Sequence, residues 1–170
     1  MKKTYLVLSI LFLVIYTSSC ERDDICVDAD TPLLVLGFFD SEDTTLAKDV
    51  PTFRVLETIL NTEINTIDGG TSSLDSIGVP LRTDTVTTSF ALITNSATDA
   101  DTGEETGNID TLTITYTTRE DFVSRGCGFI INFDELDVQL TTDSENWIQD
   151  LSIQQQTIEN SNNVHVKIFH

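Results

Sequence analysis

Leu112, Ile114 and Tyr116 alternate with Thr111, Thr113, Thr115 and Thr117, giving this stretch one apolar face and one β-branched polar face. A period of two is the signature of a half-buried β-strand, because successive side chains point to opposite faces. Leu136, Val138 and Leu140 repeat the pattern, as do Val164, Val166 and Ile168. Short apolar runs recur between polar turns and predict strands at 33–39, 53–60, 76–82, 87–94, 112–118, 129–133 continuing through 136–141, 147–153 and 164–169. Pro80 brings no ladder donor, which places its strand at an edge or a bulge. Gly69–Gly70 and the polar run 160–163 mark turns, and 96–110 reads as a long hairpin connection. Threonine is abundant and helix formers are sparse. The expectation is an all-β chain, a single β-sandwich of about seven to nine mostly antiparallel strands.

Residues 144–155 fit two readings. Ser144 can cap a helix that carries Trp147, Ile148 and Leu151 on one face. Trp147, Leu151 and Ile153 also share one face of a strand, and the strands on either side favour that reading.

The N-terminus follows another pattern. Lys2 and Lys3 precede an apolar run, Tyr5 to Tyr16. It is too short to cross a bilayer core, which takes about 20 residues of helix, and it suits the h-region of a secretory signal. Thr17, Ser18 and Ser19 then lead to Cys20. The arrangement resembles a bacterial lipobox, whose cysteine becomes the lipid-modified first residue of the mature chain, although Thr17 stands where leucine is usual. Thr17 and Ser19 also suit ordinary cleavage after Ser19. The lipobox reading divides the chain into a signal peptide at 1–19, a lipidated N-terminus and short acidic tether at 20–30, and the sandwich at 31–170.

Charge narrows the function classes. The chain has 28 acidic residues against 9 basic ones, a formal charge of −19, and cleavage would remove two lysines and no acid. Nucleic acid is excluded as a partner, since its phosphates demand lysine and arginine. An anionic lipid surface is disfavoured without bridging cations. Hydrophobic content of 39% is ordinary for a folded domain, so this is no acidic disordered tail.

Candidate chemistry is thin. In DADTGEETGNID, residues 99–110, the acids Asp99, Asp101 and Asp110 invite a calcium reading, but Glu104 occupies the sixth position where an EF-hand turn needs glycine. A plain acidic hairpin loop is the simpler expectation. His165 and His170 lie five apart in one strand and point to opposite faces, so they form no local metal pair. Asp134, Glu135 and Asp137 read as a turn of carboxylates in preference to a glycosidase pair. Trp147, Phe38, Phe39 and Tyr116 would stack sugars if exposed and otherwise belong to the core. No catalytic residue and no cofactor is expected.

Several segments are similar together to one family: CERDDIC at 20–26, TPLLVLGFFD at 31–40, IGVPLRTD at 77–84, VSRGCGF at 123–129, TTDSENWIQ at 141–149 and the closing HVKIFH. They resemble an uncharacterised family of small lipoproteins from Bacteroidota-type bacteria. The resemblance implies lipidation at Cys20 and an outer-membrane location, and it carries no activity. Glu21, Asp23 and Asp24 resemble an acidic cell-surface export signal interrupted by Arg22, which favours the cell surface slightly over the periplasmic face. The expected function is a membrane-anchored envelope lipoprotein acting as a binding or structural module. A glycan-binding accessory module of an uptake system, with or without calcium, is the alternative. Expected partners are the bilayer, through the anchor, and an envelope protein or glycan.

If Cys20 carries lipid, Cys26 and Cys127 remain. In an oxidising compartment such a pair is bridged more often than free, and the bridge would close a loop of about 100 residues, worth up to about 4.7 kcal/mol of chain entropy. Two free thiols, one of them buried, are the alternative. On the anchor itself the expectation is direct. Cys20→Ser should release the protein from the membrane fraction or leave its signal uncleaved. Mature Cys20→Ser protein still sedimenting with outer membrane would contradict lipidation.

Overall fold

The computed structural model describes residues 30–64 and 72–170. The proposed signal peptide, Cys20, Cys26 and the Gly69–Gly70 turn lie outside the described residues. The described chain forms ten strands: β1 (Leu34–Phe39), β2 (Val50–Glu57), β3 (Thr62–Glu63), β4 (Ser72–Leu74), β5 (Ser76–Val79), β6 (Thr87–Thr94), β7 (Asn108–Ser124), β8 (Gly128–Leu140), β9 (Asp150–Ile153) and β10 (Val166–Phe169). They make two sheets, one ordered β5-β1-β10-β9 and the other β3-β2-β6-β7-β8, with β4 also paired to β2. All pairs are antiparallel except β1 with β10. The expected all-β sandwich is what the chain forms.

The core lies between the sheets. Leu34, Leu36 and Phe38 of β1, Phe53 and Val55 of β2, and Phe90 and Leu92 of β6 are fully buried, together with Leu112 and Ile114 of β7 and Val166 and Ile168 of β10. These are the inward positions that the period-two pattern selects. Phe38 meets Phe53 edge to face across the sheets, with ring centroids 4.9 Å apart.

Differences from the pattern have physical causes. β3 and β4 are only two and three residues long, too short to display a periodicity. Pro80 follows β5 directly, and β5 is an edge strand, as the missing donor requires. Residues 150–153 are a strand, so the strand reading of that region holds, in a shorter form. The apparent break in β8 is a bulge: Thr115 pairs with Asp137 and Thr117 with Asp134, and Glu135 has a φ of 56°. β7 outruns its expected end by six residues. It pairs with β6 only as far as Thr115, so beyond that point β7 and β8 continue as a two-stranded arm.

β10 holds the centre of its sheet. It pairs in parallel register with β1 (Leu36 to Val166, Phe39 to Phe169) and antiparallel with β9. Replacing fully buried Ile168 by alanine should therefore cost about 2–5 kcal/mol, measured by urea unfolding. Deleting 164–170 should abolish cooperative melting. A truncated chain that still melts cooperatively would show β10 to be peripheral.

Candidate functional site

The sequence-proposed candidates disperse in the fold. Asp99 turns inward on its own loop, accepting from the backbone N–H groups of Asp101 (2.9 Å) and Thr102 (2.8 Å). The Thr102 N–H, then that of Asp101, hold its carboxyl below the usual range. Asp101 is exposed. Asp110 is 1% exposed and serves a different segment, accepting from the Ile148 N–H (2.8 Å) and the Asn146 side-chain amide (3.0 Å). Burial pushes its carboxyl up, against the lowering effect of those two bonds. Among the described residues no three His, Cys, Asp or Glu side chains are grouped as a metal site would require.

The loop containing Asp99 is organised by Glu105. Its carboxylate accepts from the backbone N–H groups of Ala97 (3.0 Å) and Gly107 (2.9 Å) and from the Ser96 hydroxyl (2.8 Å), and it pairs with Arg54 at 3.2 Å. Gly107 is needed for the fit, since a Cβ there would lie 2.6 Å from Ile93 and 2.7 Å from the Thr94 carbonyl.

The aromatic residues named for stacking turn inward. Phe38 and Tyr116 are buried, and half-buried Trp147 stands edge-on to Phe53 and His170. The Trp147 indole N–H donates to the Leu92 carbonyl at 3.3 Å. Phe39 is half-buried with the Lys167 ammonium 4.1 Å above its ring. The histidines are kept apart: His165 is buried beside β1, where its Nδ1 accepts from the Val35 N–H at 3.0 Å, while His170 packs on Trp147. Asp134 pairs with Arg119, Glu135 sits exposed in the bulge, and Asp137 accepts from Gln139. No acid–base pair results.

Two other places stand out. The first is the arm. Arg119 clamps its base, pairing with Asp134, Glu159 and Asp121. At its tip Phe122 and Phe129 are 59% and 66% exposed and contact each other at 5.3 Å, with Val123 and Arg125 also exposed. Cys127 lies in the tip turn before Gly128, whose φ is +76°. It is bonded and not a free thiol. The other cysteines, Cys20 and Cys26, are outside the described residues.

The second is a cleft of about 360 Å³ at the β2–β3 turn, lined among the described residues mainly by Leu33, Leu60, Ile64, Pro80 and Leu81, with Glu57 in its wall. Glu57 is the last residue of β2 and follows Phe53 and Val55 on the inward face. It is 5% exposed; one carboxylate oxygen accepts from the Leu60 N–H at 2.5 Å, and the other has no partner among the described residues. Two more charged side chains line the cleft and both are engaged elsewhere, Arg82 with Asp84 at 2.8 Å and Glu63 with Arg54 at 3.1 Å.

Sequence reasoning reached the arm only through Cys127 and did not name the cleft. Glu57 left a signal, an acid at the third inward position of a strand. The arm left little, because both faces of a two-stranded ribbon meet solvent and its sequence loses alternation.

Residues 55–170 match the family described as "Family of unknown function (DUF6452)". No curated protein and no solved structure matches the chain.

Glu105 yields a pH prediction. Burial alone would raise its carboxyl, but the Gly107 N–H, the Ser96 hydroxyl, the Ala97 N–H and Arg54 together bring it from 4.5 down to about 2. A depressed carboxylate stabilises the fold fully above its ordinary value, and the contribution disappears as pH falls through about 2. Glu105→Gln should thus be less stable than the parent at pH 7, by urea unfolding, with the deficit closing between about pH 5 and pH 2. An equal deficit at pH 7 and pH 2 would contradict the assignment.

Proposed function

The chain belongs to the DUF6452 family of unknown function, and from that starting point we propose that it is a lipid-anchored envelope module whose β7–β8 arm faces the bilayer. The carrying observation is the arm tip, where bonded Cys127 sits beside exposed Phe122, Val123 and Phe129. With Cys20 acylated, Cys26 is the partner left for Cys127. Cys20 and Cys26 are then separated by at most roughly 20 Å of extended chain. The tip is thereby confined near the lipid anchor. Apolar aromatic side chains with an exposed arginine suit the headgroup boundary of a bilayer.

The position of the acidic loop is compatible with this orientation. The acidic loop precedes β7 and the tip follows it, so a strand of this length sets them roughly 50 Å apart at about 3.3 Å per residue. That is several times the Debye length of about 8 Å at physiological salt, so the loop's carboxylates exert little repulsion at an anionic surface. Arg119 stiffens the arm at its base through three acids, so the body would stand off the membrane at a restricted angle. The proposed role is to present the sandwich, and whatever it binds, close to the envelope surface.

Non-reduced tryptic peptides should contain Cys26 and Cys127 in one linked species, whereas alkylation of both without reductant would end the pairing. At high lipid concentration, non-acylated Cys20→Ser protein should partition onto vesicles through the tip alone, weakly enough to be washed away and so too weakly to hold it in a sedimented membrane fraction. The double change Phe122→Ser and Phe129→Ser should weaken that partition about tenfold or more. Partition equal in the two proteins would remove the arm from the interface.

A further inference from the structure

We propose that the Glu57 cleft binds a small apolar molecule carrying a primary ammonium group. This inference is independent of the anchored reading above, and it begins from the unpartnered oxygen. A carboxylate removed from water is costly unless paired and hydrogen-bonded. Glu57 is 5% exposed and has one bond, from the Leu60 N–H, while its other oxygen accepts nothing among the described residues. Such an orphan in a native structure needs an explanation, and the cleft beside it supplies one.

The surroundings define the occupant. The wall is mainly aliphatic, supplied by Leu33, Leu60, Ile64, Pro80 and Leu81, and about 360 Å³ is within the range of small-molecule sites. Leu60 is 64% exposed and lines the cleft, so the mouth has an apolar side chain at its edge. An apolar body with one polar end therefore fits. The polar end has to donate, because an ionised carboxylate only accepts. A cationic end suits it best, because the basic side chain already in the wall is hydrogen-bonded elsewhere: Arg82 grips Asp84 through two nitrogens, at 3.0 and 2.8 Å. Arg82 lies near enough to feel the Glu57 charge but makes no hydrogen bond to it, so the open oxygen remains an acceptor in a mainly aliphatic wall. An ammonium supplies three donors and a positive charge at hydrogen-bond distance in one group.

Local geometry keeps the acceptor in place. β2 ends at Glu57, and the turn that follows is closed by Thr58 N–H donating to Ser89 carbonyl at 2.9 Å and by Asn61 at a φ of 49°. Because the Leu60 N–H holds one oxygen, the carboxylate is oriented before any ligand arrives. Orientation without ligand lowers the ordering cost of binding.

The test uses the full mature chain carrying Cys20→Ser, free of vesicles and detergent, so that failure of the bilayer reading cannot affect it. Hexylamine, 1-hexanol and hexanoate are titrated against methyl-labelled protein. Hexylamine should shift the methyl resonances of Leu33, Leu60, Ile64 and Leu81, and should bind about tenfold to a hundredfold more tightly than hexanol. Hexanoate should not bind there. Glu57→Gln should bring hexylamine down to the affinity of hexanol. Should that variant not fold, Leu60→Ala, at an exposed position, should weaken hexylamine binding several-fold with the fold intact. Equal binding of amine and alcohol, shifts located elsewhere, or no saturable binding at millimolar amine would each overturn the proposal.

Discussion

The architecture depends on a reciprocal contact between the two ends of the domain. The Val35 N–H donates to His165 Nδ1 at 3.0 Å, and the His165 N–H donates back to the Val35 carbonyl at 2.9 Å. This pair sets the register in which β10 lies along β1, and everything in that sheet follows from it. β9 is placed by β10, and β5 is placed by β1. The last residue is fastened as well: the His170 N–H donates to the Phe39 carbonyl at 3.1 Å, and the Lys48 ammonium donates to the His170 carbonyl at 2.7 Å. Bonds between residues about 130 apart in sequence thus secure the centre of one layer.

The second layer is tied to the first by a buried acid. Asp110 lies on β7, yet both its bonded partners belong to the connection leading from β8 to β9. It fixes Trp147 beside Phe53 and Phe38, so the crossover closes the end of the core near the acidic loop. A fully bonded buried carboxylate of this kind specifies geometry, and its satisfaction makes it inert. Glu57 is the contrasting case, equally removed from solvent but left with an open oxygen. Two carboxylates with similar burial thus take opposite roles, decided by how many donors each one meets.

Wherever burial alternates, the sequence reveals the fold. Leu112, Ile114 and Tyr116 mark the inward face of β7 because the opposite sheet covers that face alone. Past Arg119 the strand is largely open to solvent, and it continues in a sequence, EDFVS, that looks like a loop. Glu135 interrupts the pattern in β8 by taking the left-handed conformation of a bulge, a backbone property that side-chain periodicity does not encode. His165 is polar, and only its partner on β1 explains its burial. The cleft is assembled from three separate stretches, around residues 33, 57–64 and 80–82, so no local motif announces it. What the sequence did offer was Glu57 itself, placed two residues beyond Val55 on a face otherwise apolar.

The parallel contact of β1 with β10 also orders events in time. A chain made from its N-terminus exposes β1 first among the described strands, with Leu34, Leu36 and Phe38 and one unfilled edge, and the strand that fills that edge is the last of them to emerge. The sheet centre cannot close until that strand is free to pair. Completion then falls to four residues, Val166–Phe169, which act as the latch of the whole domain.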